Sequence, residues 1–102
     1  MTLIDKHTRE IQKLCSRYKV RKLYAFGSVL TDKFNGASDV DLIVDFEPQD
    51  TSHYADNYFN LKFALEDTLN RKIDLLEEKT IKNPYFRQAI ENQRQLLYGA
   101  WN

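Results

Sequence analysis

The sequence predicts an α/β (α+β) domain: a small mixed β-sheet flanked by helices, in the order α-β-α-β-α-β-α. Three observations predict it. Apolar runs with strand character recur at 21–26, 39–46 and 71–77. Amphipathic helical repeats precede, separate and follow them. Two chemically loaded segments, Phe26-Gly27-Ser28 and Asp39-Val40-Asp41, reach one site only if the first two strands run antiparallel. The first segment ends its strand and the second opens its own, so a parallel pair would hold them a strand length apart, about 17–20 Å.

Bulk properties set the frame. A chain of 102 residues has room for one domain, spanning 1–102, and one modest core. The 42% apolar content is globular, and no stretch is long or apolar enough to cross a membrane. Fifteen basic and fifteen acidic residues cancel, which argues against direct binding to a nucleic-acid backbone. The early charges of Asp5 and Lys6 interrupt any signal-peptide centre. The single Cys15 has no internal disulfide partner, so a reducing cytoplasm is the expected location.

In chain order, Thr2 to Tyr18 reads as one amphipathic helix with Ile4, Ile11, Leu14 or Cys15, and Tyr18 on its stripe. Arg21 to Phe26 is the first strand. A short helix from Ser28 to about Asp32 follows, then an Asn35-Gly36 turn. The second strand runs from Asp39 to Phe46 and is closed by Pro48. Ser52 to Asn70 is the clearest helix. Tyr54, Tyr58, Leu61, Leu65 and Leu69 keep the helical repeat, and Phe59 and Phe63 are expected to widen that stripe as core. Arg71 to Glu77 is the third strand, parallel to the second because a crossover helix joins them. Asn83-Pro84 starts the last helix, with Asn as N-cap and Phe86 and Ile90 facing the core. Leu96-Leu97-Tyr98 is expected to pack as an extended tail ended by Gly99, with Trp101 a loose end or part of an interface.

The chemistry sits at the start of the second strand. Asp39 and Asp41 stand two apart and so point to one face. At about 5 Å and an effective dielectric of about 20 their repulsion is roughly 3 kcal/mol. A bound cation reverses that sign, because hard divalent metals want clustered carboxylate oxygens. Gly27-Ser28 supplies the complement: a tight turn out of a strand whose free N–H groups attract phosphate. Phosphate cradle and metal carboxylates together read as nucleoside-triphosphate chemistry. Asp45 shares the parity of Asp41 but lies four residues along, too far for one metal centre, and reads as a solvated strand end. Asp74, between Ile73 and Leu75, is by spacing alone as much a surface charge as a third carboxylate.

Gly27-Ser28, ten residues, then Asp39-Val40-Asp41 on this scaffold resembles the DNA polymerase beta-like nucleotidyltransferase superfamily. At this length the chain is similar to its minimal nucleotidyltransferases, the MntA-type antitoxins paired with HEPN-domain toxins. The resemblance covers roughly Leu23 to Tyr98. It implies the nucleotidyltransferase fold and a magnesium-dependent transfer of AMP from ATP to a hydroxyl, a tyrosine of a HEPN partner. It further implies that Asp74 completes a metal triad with Asp39 and Asp41, holding two Mg2+ ions, while Gly27 and Ser28 bind the nucleotide. Val29-Leu30-Thr31-Asp32-Lys33 replaces the Arg residues and Gly that many members carry after Gly-Ser. The alternative is therefore a catalytically weak or inactive module of the same fold that neutralises its partner by binding. Nucleobase, acceptor and any homo-oligomer stay open at this level.

Overall fold

The computed structural model describes residues 2–31 and 39–99, and the side chains of Thr2, Ser28 and Thr51 lie outside that description. The Asn35-Gly36 turn, the end of the short helix at Asp32, and Trp101 likewise fall outside the described residues.

Among the described residues four strands form one sheet. They are β1 (Val20–Phe26), β2 (Val40–Phe46), β3 (Ile73–Glu77) and β4 (Gln95–Tyr98), in spatial order β3-β2-β1-β4. β1 pairs antiparallel with β2, and β2 pairs parallel with β3, as the site and the crossover length require. A 3-10 turn, Gly27–Leu30, leaves β1. The helices are α1 (Thr2–Lys6), α2 (Thr8–Arg17), α3 (Thr51–Leu69) and α4 (Pro84–Gln93). None of the described helices is long and apolar enough to cross a membrane.

Strand alternation divides the core between the two faces of the sheet. Leu23 and Ala25, Val40, Leu42 and Val44, and Ile73 and Leu75 pack with Ile11 and Cys15 of α2 and with Leu61, Leu65 and Leu69 of α3. Tyr24, Ile43, Phe26 and Leu76 point the other way, onto Ile81 and Ile90. Burial of each large aliphatic side chain here contributes about 1.5–3 kcal/mol. Cys15 is fully buried and desolvation pushes its thiol up to about 12, so it acts as a small hydrophobe.

Four expectations change. The first helix breaks at His7, whose φ of −118° and ψ of 18° depart from helical values. The Thr8 hydroxyl there donates to the carbonyls of Ile4 and Asp5, each at 3.2 Å, a local bond that competes with helix continuation. Ile4, Ile11 and Cys15 are nonetheless all buried, so the apolar stripe survives the break. The extended tail is a true strand: β4 pairs antiparallel with β1, with Leu96 opposite Tyr24 and Tyr98 opposite Leu23. Gly99 then turns away at φ +108°, where a Cβ would come within 2.5 Å of the Arg21 carbonyl.

Phe59 and Phe63 do not join the core; they are 51% and 59% exposed and stack on each other at 6.2 Å. Each is two positions from buried Leu61, about 200° around the helix, which is the opposite face. Phe86 is only half-buried, while Ile90, four residues on, is the core residue of α4.

Two further expectations hold. The Asn83 side chain caps α4, its Oδ1 accepting from the backbone N–H of Tyr85 at 2.9 Å and of Phe86 at 3.1 Å. Asp45 is a strand-end charge, held by Arg21 through Nε–H to Oδ2 at 2.8 Å and Nη2–H to Oδ1 at 3.2 Å.

Candidate active site at the acidic end of the sheet

Register brings the singled-out residues together. Asp41 is the direct partner of Phe26 on β1 and of Asp74 on β3, so the end of the first strand and the start of the third flank it. Ile43 on β2 and Leu76 on β3 belong to the α4-side core. By alternation Asp41 and Asp74 therefore point to that face as well. Asp39 precedes β2 by one residue with the parity of Asp41, and it is exposed, as is Asp74.

The turn after β1 closes onto this carboxylate. Gly27 adopts φ +79°, a left-handed conformation, and a Cβ built on it would lie 2.7 Å from Oδ2 of Asp41. Glycine is demanded twice, by the backbone and by the acid pressed against it. The backbone of Ser28 continues into the 3-10 turn directly beside that contact; its side chain lies outside the described residues.

Electrostatics register the crowding. The Asp41 carboxyl is pushed above the usual carboxylate range, first by desolvation, then by the negative charges of Asp74 and Asp39. Asp74 also raises the Tyr58 hydroxyl, after the larger effect of burial. That hydroxyl donates to the Leu75 carbonyl, while the Ile73 N–H donates to Glu66 Oε2 at 3.1 Å. α3 thus covers two of the outward-facing backbone groups of the edge strand β3, one on each side of Asp74.

Among the described residues the side chains form no ready-made cluster of three or more metal ligands. The acids form an open row across two strands. Concave surface exists elsewhere: a cavity of about 330 Å³ at the far end of the strands is lined by Arg21, Asp45, Phe46, Glu77 and Lys79. Four of its charges pair with one another, Arg21 with Asp45 and Lys79 with Glu77, while Glu47 adds a further carboxylate to its lining. The carboxylates beside Gly27, which have no ion-pair partner among the described residues, are the chemically loaded end. Phe26 adds an aromatic wall there, and its ring meets Phe86 edge-on at 6.4 Å and 75°.

Similarity to known proteins runs along the whole of this framework. Residues 9–100 match the family described as polymerase beta, nucleotidyltransferase. The candidate protein adenylyltransferase MJ0128 of Methanocaldococcus jannaschii is 34% identical over 96 residues, 94% of this chain and 90% of that protein. A candidate minimal nucleotidyltransferase of known structure superposes with a TM-score of 0.75 at 27% identity, covering 90% of each chain. One chain in the structure of a tri-AMPylated Shewanella oneidensis HEPN toxin in complex with MNT antitoxin shares the fold, with a TM-score of 0.64 at 21% identity over 94% of this chain and 72% of that one. With its glycine turn and acid row on this scaffold, the chain belongs to the polymerase beta-type nucleotidyltransferase family.

Proposed function

We propose that this protein transfers AMP from ATP to a tyrosine hydroxyl of a HEPN-type partner and so acts as its antitoxin. The observation that carries the reading is the packing of Gly27 against Asp41, with Asp74 in register on the next strand. The names of MJ0128 and of the AMPylated HEPN complex support the protein acceptor.

Magnesium suits the donor set: the row is all oxygen, and burial followed by the charges of Asp74 and Asp39 already raises the Asp41 carboxyl. Asp39 and Asp41 would hold it, with Asp74 completing the ligands of a second ion. Bound there, it would supply charge neutralisation on the α-phosphoryl group and lower the pKa of the attacking hydroxyl. The protein's own groups do the rest. The backbone N–H groups of Gly27 and Ser28 grip the β- and γ-phosphates. Asp74 takes the proton as the tyrosine oxygen bonds to the α-phosphorus. The bond from that phosphorus to the β-bridging oxygen breaks, and pyrophosphate leaves.

The purified chain, ATP labelled at the α-phosphate, and a candidate HEPN-type partner protein form the direct test. Label should move to a partner tyrosine and pyrophosphate should appear, with both lost in the Asp39→Asn, Asp41→Asn double variant. A second reading, neutralisation by binding alone, is favoured by the exposed Phe59–Phe63 stack. It prevails if the double variant still silences the partner without transfer.

A further inference from the structure

We infer that Phe86 is the platform on which the nucleobase of the bound nucleoside triphosphate stacks. The inference rests on the nucleotidyl-transfer reading and adds the residue that reads the base. Phe26 stands directly opposite Asp41, and directly opposed residues of an antiparallel pair hold their Cβ atoms about 4.5–5.5 Å apart. The Phe86 ring is one aromatic contact further out, 6.4 Å from that of Phe26. The two steps together are longer than a ribose alone. The contact of the phosphate with the carboxylate at one end and the stacking gap at the other take up the remainder. An α-phosphate seated at Asp41 therefore brings its base within reach of Phe86.

The ring is prepared for that task. Phe26 meets it edge-on at 75°, fixing its orientation, and 43% of the residue remains exposed. The N–H of Phe86 itself is tied to Asn83 Oδ1. Its neighbour Arg87 donates to the Glu78 carbonyl at 2.8 Å and to the Ile81 carbonyl at 2.8 and 3.2 Å. The first turn of α4 is thus anchored to the loop that precedes it, and a half-exposed aromatic on a rigid helix loses little freedom when a base lands on it. A phenyl ring offers no hydrogen-bonding group, so it distinguishes bases by stacking area alone. Adenine and guanine nucleotides should bind alike, and pyrimidine nucleotides more weakly.

Calorimetric titration of the full chain with magnesium and either a non-hydrolysable ATP analogue or tripolyphosphate separates base from phosphate. Phe86→Leu keeps apolar volume without a π-face; it should weaken the analogue about 5- to 150-fold and leave tripolyphosphate unchanged. Phe86→Trp should restore the analogue. Phe63→Ala removes a still more exposed phenyl from α3 and should change neither ligand. Unaltered analogue affinity in Phe86→Leu overturns the platform while leaving nucleotidyl transfer standing. Equal weakening of both ligands also overturns it, because the residue would then only support the fold. A wild-type chain that binds neither ligand removes the nucleotidyl-transfer reading and the platform with it.

Discussion

Gly27 and Asp41 are packed so closely that a single added carbon on the glycine would stand 2.7 Å from a carboxylate oxygen. The contact joins the turn after β1 to the first acid inside β2, so local backbone conformation and site electrostatics depend on one another. Moving either residue moves the proposed phosphate cradle relative to the acid row.

Gly27→Ala should damage both. The left-handed φ of +79° penalises any side chain, and the new methyl must displace Asp41. Loss of stability of about 1–3 kcal/mol is expected by denaturant unfolding. Nucleotide affinity should fall further than stability alone explains, since the displaced group is a proposed ligand. A stable variant with wild-type nucleotide affinity counts against the site.

Asp41→Asn should stabilise the protein while abolishing transfer. Folding raises the Asp41 carboxyl above its unfolded value, so its contribution is fully favourable below the ordinary carboxylate pKa and is lost as pH rises through the folded one. At pH 7 the charged side chain opposes folding, and the amide removes that opposition. Discounted for solvent screening, the gain should be about 0.5 kcal/mol, or about 2–4 °C in Tm. The advantage should vanish below about pH 4, where the wild-type carboxyl is protonated in both states. Differential scanning across pH 3–8 checks the sign.

Magnesium should stabilise the wild type far more than the Asp41→Asn variant. A cation held at tenfold its Kd stabilises the wild type by about 1.4 kcal/mol, because binding favours the folded state. Asp41→Asn, lacking the central carboxylate, should show little of that shift. Equal Tm shifts in both proteins would place the ion elsewhere.

Asp45→Asn separates strand parity from chemistry. Asp45 shares the face of Asp41 but spends its charge on Arg21 at the far end of the sheet. Transfer should proceed at the wild-type rate in the labelled-ATP assay, with only a small change in Tm.

Tyr58→Phe removes the hydroxyl that covers the Leu75 carbonyl beside Asp74. Loss of one such bond costs about 0.5–1.5 kcal/mol. Hydrogen exchange should show faster opening confined to β3, with the helices on the other face unchanged.

Much of the site was legible from spacing because strand geometry is local. Two residues apart on a strand means one face, so Asp39 and Asp41 were joined by counting, and their need to meet Gly27 dictated an antiparallel β1–β2 pair. The length of α3 likewise dictated a parallel β3, which carries Asp74 to a place opposite Asp41. Periodicity was misleading where two faces compete. Phe59 and Phe63 look like core by composition, yet the angle from Leu61 and Leu65 turns them to the surface.

The sequence by itself determined the alternation within each strand, the glycine turn and the acid spacing, since those are set by backbone geometry over a few residues. Only the tertiary structure decided that β4 closes the free edge of β1, that Arg21 takes Asp45, and that α4 leaves Phe86 half-open against Phe26. Those outcomes depend on which distant surfaces meet. Chain-length separation leaves them unspecified until the whole apolar area is buried at once.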